Sequence, residues 1–156
     1  MDYIVKGLPL SPFQPLFGLD DDALRKRGIV RMTADGKSGF PCRITLKDAE
    51  PGESLLLLNW RHLDADSPYR GDGPIFVNES ALATAEVRNA IPEQQRKRLL
   101  SVRAYDADGW MHDAEVLEGV ELEASLVGRF FADPRIAFLQ VHNARRGCYA
   151  CRIERG

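Results

Sequence analysis

The chain has 156 residues, of which 44% are apolar and 28% charged, with a formal net charge of −2; a chain this long buries roughly 70% of its unfolded surface and needs no disulfide or metal to hold a core. No apolar run approaches the roughly 18 residues of a membrane-spanning helix, and the balance of charge supplies no basic field for general nucleic-acid binding. The opening MDYIVKGLPLSPF lacks a basic start followed by a long apolar stretch, so a soluble cytoplasmic protein without a membrane or nucleic-acid partner is expected. Three cysteines in such a compartment are free, reactive or metal-bound rather than a disulfide framework.

In chain order, Asp2 to Leu8 predicts a first strand, and the prolines at 9, 12 and 15 an extended connection. Asp20 to Arg27 reads as a short helix, acidic in its first turn, basic in its last and stopped by Gly28. Ile29 to Met32 predicts a strand, and the alternation of FPCRITL from Phe40 predicts another, with Cys42, Ile44 and Leu46 inward and Arg43, Thr45 and Lys47 outward. After the turn at Pro51-Gly52, the unbroken Leu55-Leu56-Leu57-Leu58 suits a central strand covered on both faces. The turn-rich Ser67 to Pro74 reads as a surface loop, followed by a strand at Ile75-Phe76-Val77.

Glu79 to Leu100 predicts mostly helix, restarted near Pro92. Val102 to Val116 reads as a hairpin about Asp106 to Gly109, pairing Arg103 with Asp113 and Tyr105 with Met111 and setting His112 opposite Ala104. Val120 to Phe131 predicts a helix with Val120, Ala124, Val127 and Phe131 on one stripe, widened by Leu122, Leu126 and Phe130. These elements amount to an α+β fold: a single domain with a mostly antiparallel sheet built of hairpins and a few helices packed on it.

The densest chemistry is C-terminal. A hairpin from Ile136 to Glu154 with a three-residue loop closing on a left-handed Gly147 places Leu139, Val141, Tyr149, Cys151 and Ile153 on one face. Gln140, His142, Cys148, Ala150 and Arg152 take the other. Cys148 and Cys151 then point apart, which argues against a CxxC redox pair. His142 and Cys148 fall diagonally on one face, the arrangement a nucleophilic or redox-sensing cysteine uses.

Three functional readings follow. In the first, Tyr69, Arg70, Asn143, Arg145, Arg146 and Arg152, with His142, line a polar pocket for an anionic small molecule or partner. In the second, Cys148 and His142 are a catalytic or sensing pair. In the third, Cys42, Cys148, Cys151 and His142 form a structural zinc site, which requires a knuckle in place of the regular hairpin. No GxSxG, Walker, Rossmann or HExxH pattern is present, so no cofactor is expected. An exposed sheet edge offers a route to a homodimer.

Five segments, FPCRITL from Phe40, PGESLLLL from Pro51, SPYRGDGPIFV from Ser67, RAYDADGWM from Arg103 and HNARRGCYACR from His142, together resemble the bacterial family called domain of unknown function 1203. The resemblance implies a small single-domain bacterial protein and brings with it no activity, cofactor or catalytic residue.

Overall fold

The computed structural model describes residues 1–36 and 38–156. In chain order it contains β1 (Tyr3–Lys6), α1 (Asp21–Arg25), β2 (Val30–Thr33), β3 (Ser54–Leu63), β4 (Gly71–Asn78), β5 (Glu86–Arg88), α2 (Glu93–Arg96), β6 (Leu99–Tyr105), β7 (Met111–Glu118), α3 (Leu122–Ser125), β8 (Phe138–Asn143) and β9 (Tyr149–Arg155). The fold is α+β and mostly antiparallel sheet. The strands divide between two sheets, a six-stranded one ordered β5-β1-β9-β8-β6-β7 and a three-stranded one ordered β2-β3-β4.

Each sheet has a main apolar face because its apolar residues alternate with period two. On the large sheet Val5, Leu100, Val102, Leu139, Val141, Cys151 and Ile153 form that face, capped by Leu122, Leu126, Phe130 and Phe131. On the small sheet Leu56, Leu58, Ile75 and Val77 pack on Leu8, Phe13, Leu24 and Ile29 from the N-terminal segment, with Cys42, Ile44 and Tyr149. β3 is the central strand of its sheet, as the leucine run predicts. α1 follows the expected chemistry: the Asp20 side chain accepts the Ala23 N–H at 2.7 Å, and Gly28 leaves with φ +72°.

Several elements differ from the sequence-based expectation, each for an identifiable reason. Phe40 to Leu46 is not a strand but an irregular crosspiece between the sheets: the Arg43 N–H donates to Phe76 O at 3.0 Å, and its carbonyl accepts from Leu8 N–H at 2.8 Å. Leu46 takes φ +55°, and Arg43, expected outward, is 2% exposed. Most of the segment predicted as helix over 79–100 is loop. Residues 86–88 pair with β1, giving that strand its second neighbour, and Asn89 at φ +52° accepts the Tyr3 N–H at 2.9 Å. Pairing a sheet edge outweighs a weak helix preference.

The 120–131 helix exists as a 3-10 turn, α3 and a π turn at Leu126–Phe130. The wider turn keeps Leu122, Leu126 and Phe130 buried and leaves Val120 and Val127 65% and 51% exposed. In the β6–β7 hairpin a bulge between Ala104 and Tyr105 preserves Tyr105 opposite Met111 but moves Ala114 opposite Arg103. Asp113 thus stands opposite Ala104, while the His112 ring turns to Asp106, with Nε2 2.8 Å from Oδ2.

The crosspiece leaves no room for a side chain where β1 exits. A Cβ on Gly7 would lie 2.1 Å from the Ile44 carbonyl oxygen, whereas one on Gly73 would meet nothing within 4 Å. Gly7→Ala is expected to lower unfolding free energy by about 2 kcal/mol in urea titration, as overpacked sites do, with Gly73→Ala within about 0.5 kcal/mol of the parent.

Candidate functional site

The β8–β9 hairpin turns on a left-handed Gly147 as expected, at φ +77°, but its loop runs over four residues, Ala144 to Gly147, rather than three: the Gly147 N–H donates to Asn143 O at 2.7 Å, and the Asn143 N–H donates to Cys148 O at 2.9 Å. A bulge just below the tip then changes the faces. Val141 pairs with Cys151, but His142 pairs with Tyr149, so Ala150 joins the core face and Tyr149 moves to the face of His142. Leu139, Val141, Cys151 and Ile153 keep the side expected of them. Cys151 is fully buried, and burial pushes its thiol up to about 12.

Beneath the tip, Arg43 reaches from the crosspiece. Its Nε donates to Tyr149 O, its Nη1 to Pro41 O at 2.6 Å and its Nη2 to Cys148 Sγ at 3.2 Å. Burial, first of all, lowers this guanidinium's proton affinity, and Arg98 adds to the effect, while the Cys148 sulfur opposes it. No carboxylate pairs with Arg43 among the described residues. A buried cation without a carboxylate leaves uncompensated positive potential at that spot.

That spot is the floor of a cleft of about 850 Å³ between the two sheets, within the 300 to roughly 1,000 Å³ range of small-molecule sites. Arg145, Arg146, Asn143 and Cys148 line it from the hairpin, Lys97 and Arg98 from the segment after α2, and Met32, Leu57 and Phe76 from the small sheet. Against five cations stand Glu118 on the lining and Asp48 behind it, which binds both Lys97 and Arg98. Arg145 and Arg146 are exposed and form no ion pair among the described residues.

Of the residues expected at a site, Asn143, Arg145, Arg146 and Cys148 thus come together. The rest do not join them. Arg70 is 3.2 Å from Asp64 on an exposed loop, and Tyr69 stands edge-on to Tyr105 and Trp110. The Arg152 guanidinium lies 3.6 Å over the Phe138 ring with Nε on Glu154. It borders a separate cavity of about 780 Å³ with His62, Trp110 and three aspartates.

His142 is not the partner of Cys148. Its Nδ1 lies 3.0 Å from Gly147 O, which can only accept, so Nδ1 carries the proton. Its ring stands edge-on to His62 and Tyr149, at 5.0 and 5.8 Å between centroids. Gln140 ties this group to the small sheet, accepting from His62 Nδ1 at 2.9 Å and donating to His62 O at 2.6 Å. Nor do Cys42, Cys148, Cys151 and His142 converge. Cys42 Sγ accepts the Asn78 N–H at 3.2 Å, and among the described residues no group of three or more His, Cys, Asp or Glu is placed to hold a metal ion.

The residues missed in sequence are Arg43, Lys97 and Arg98. The basic run Arg96-Lys97-Arg98 was a visible signal; Arg43, a single cation inside the apolar Pro41 to Leu46, was a subtler one.

The family profile described as "Protein of unknown function (DUF1203)" matches residues 39–155. The chain belongs to this family. The DUF1203 match covers every residue named in the cleft except Met32. No curated protein and no solved structure matches the chain.

Burial holds the His142 imidazole down to about 3, with Arg103 assisting, and lowers His62 as well. A folded-state value below the ordinary 6.5 means the unfolded chain binds more protons below that pH, so stability is full above about 6.5 and declines on acidification. Chemical denaturation is expected to show a loss of about 2 kcal/mol between pH 6.5 and pH 5, and His142→Gln is expected to flatten that slope. A flat profile in the parent protein would contradict the burial of a neutral imidazole.

Proposed function

We propose that this DUF1203 protein is a binding module whose ligand is an anionic small molecule seated in the cleft between the two sheets. The observation that carries this reading is the buried, carboxylate-free Arg43 at the floor of a cavity rimmed by Arg145 and Arg146. A guanidinium in a low-dielectric recess attracts an anion more strongly than one in open water, and planar guanidinium groups suit carboxylate and phosphate oxygens. Asn143 adds an amide donor beside them. On this reading the chain acts as one domain, since the two walls of the site belong to different sheets.

Isothermal titration with inorganic phosphate and with citrate tests the reading. Binding at millimolar concentration or better is expected, weakening at least tenfold in the Arg145→Glu/Arg146→Glu double variant, whose exposed turn positions leave the fold intact. Absence of binding by either anion, or binding indifferent to the double variant, would refute it.

A second reading rests on the half-buried Cys148, whose sulfur accepts from both Arg43 Nη2 and Asn143 Nδ2, at 3.2 and 3.5 Å. Two donors hold this sulfur on the lining of the cleft, where it is placed to meet an electrophile as a nucleophile. Arg43 then takes the part that His142 was expected to play. Cys42 and Cys151, each 0% exposed, serve as internal controls. Mass-resolved alkylation by iodoacetamide at pH 7 is expected to label Cys148 at least tenfold faster than an unstructured cysteine peptide; an equal or slower rate removes this reading and leaves the anion site untouched.

A further inference from the structure

The two walls of the cleft differ in kind. The hairpin tip and the segment after α2 supply its cations, whereas the small sheet turns Met32, Leu57 and Phe76 toward it, with Leu99 at the start of β6. Register explains the pairing: Leu57 lies directly opposite Phe76 across β3 and β4, on the face away from the small sheet's buried core. Met32, Leu57 and Leu99 are each half-buried, yet none packs against any of the four apolar clusters of the protein among the described residues. Apolar side chains in a recess, outside the packed clusters and lining a cleft with a group of cations, are complementary to a molecule with an apolar body and a charged end.

We propose, building on the anion-binding reading, that the ligand is an amphipathic organic anion: a phosphate or carboxylate head set on Arg43 and the Arg145-Arg146 rim, with an apolar body of several carbons against Met32, Leu57 and Leu99. Neither wall alone accounts for the cleft. A site for inorganic anions has no use for an apolar wall, and a site for neutral apolar molecules would not bring Arg43 to its floor, where an unpaired charge disfavours such a guest.

The test compares probes that share a head and differ in body, by calorimetric titration of the full chain: inorganic phosphate with hexyl phosphate, acetate with heptanoate, and hexylammonium as the charge-reversed control. Hexyl phosphate is expected to bind at least tenfold more tightly than phosphate, as burial of even two methylene groups provides. Heptanoate is expected to exceed acetate by a similar factor, and hexylammonium not to bind. Leu57→Thr should reduce the advantage of the hexyl chain several-fold and leave inorganic phosphate unchanged. Met32→Thr, near the edge of the sheet, gives the same comparison if Leu57→Thr does not fold.

Equal affinities for the short and long members of each pair would overturn the amphipathic ligand while leaving an anion site standing. Hexylammonium binding as tightly as hexyl phosphate would overturn it too, by removing the need for the cations. Failure of all the anions to bind would overturn the anion-binding reading on which this one rests.

Discussion

The guanidinium of Arg43 is the contact on which the remaining architecture turns. Its backbone is bonded to Phe76 of the small sheet, and its side chain reaches Tyr149 O and Cys148 Sγ of the large one. Two sheets with different strand directions meet only along limited lines, and here the seam is closed by hydrogen bonds from a charged group. Desolvating an arginine costs several kcal/mol unless each of its donors is matched. Two carbonyls and a sulfur accept one hydrogen bond from each of its three nitrogens, and none of the three is a carboxylate. The fold therefore keeps a positive charge at the seam, and that seam opens into the cleft.

The second tie across the sheets has the opposite electrostatic character. Gln140 joins His62 of β3 to the face that carries His142 and Tyr149, and burial keeps both imidazoles neutral at ordinary pH. A proton on either ring would add charge to a region that already contains Arg43 and Arg103, which is why both arginines depress His142. The histidines thus add no charge of their own to the arginines at the seam. A neutral, hydrogen-bonded His142 also holds the Gly147 carbonyl, so the hairpin tip bearing Arg145 and Arg146 is braced from beneath.

How far the fold was legible in the sequence depended on whether local pattern or long-range pairing decided each element. The Leu55 to Leu58 run, the strand at Ile75 to Val77 and the helix after Asp20 needed only periodicity and capping, and each stands where expected. Segment 40–46 alternates as a strand does, but its partners come from Leu8, Phe76 and Ala85, far away in sequence, and they hold it as a crosspiece. Bulges were equally invisible: one added residue near Ala150 reverses the side on which Tyr149 emerges. The candidate site was half legible for the same reasons. Asn143, Arg145, Arg146 and Cys148 lie together because a tight turn makes them neighbours, whereas Arg70 was grouped with them by charge and Arg152 by strand alternation. Arg43 is close to Cys148 only through the tertiary fold, the two lying 105 positions apart in the chain.

If the cleft binds the proposed anion, that division bears on where its specificity resides. Arg145 and Arg146 are long, exposed side chains on a turn, free to adapt to an anion but weak in fixing its position, because ordering them costs rotamer entropy. Arg43 is already immobilised by its carbonyl partners, so a ligand oxygen meeting it loses little further freedom. Leu57 and Phe76 are likewise held by strand pairing. The cleft thus combines a rigid floor and wall with an adaptable rim, and discrimination between ligands falls to the rigid part.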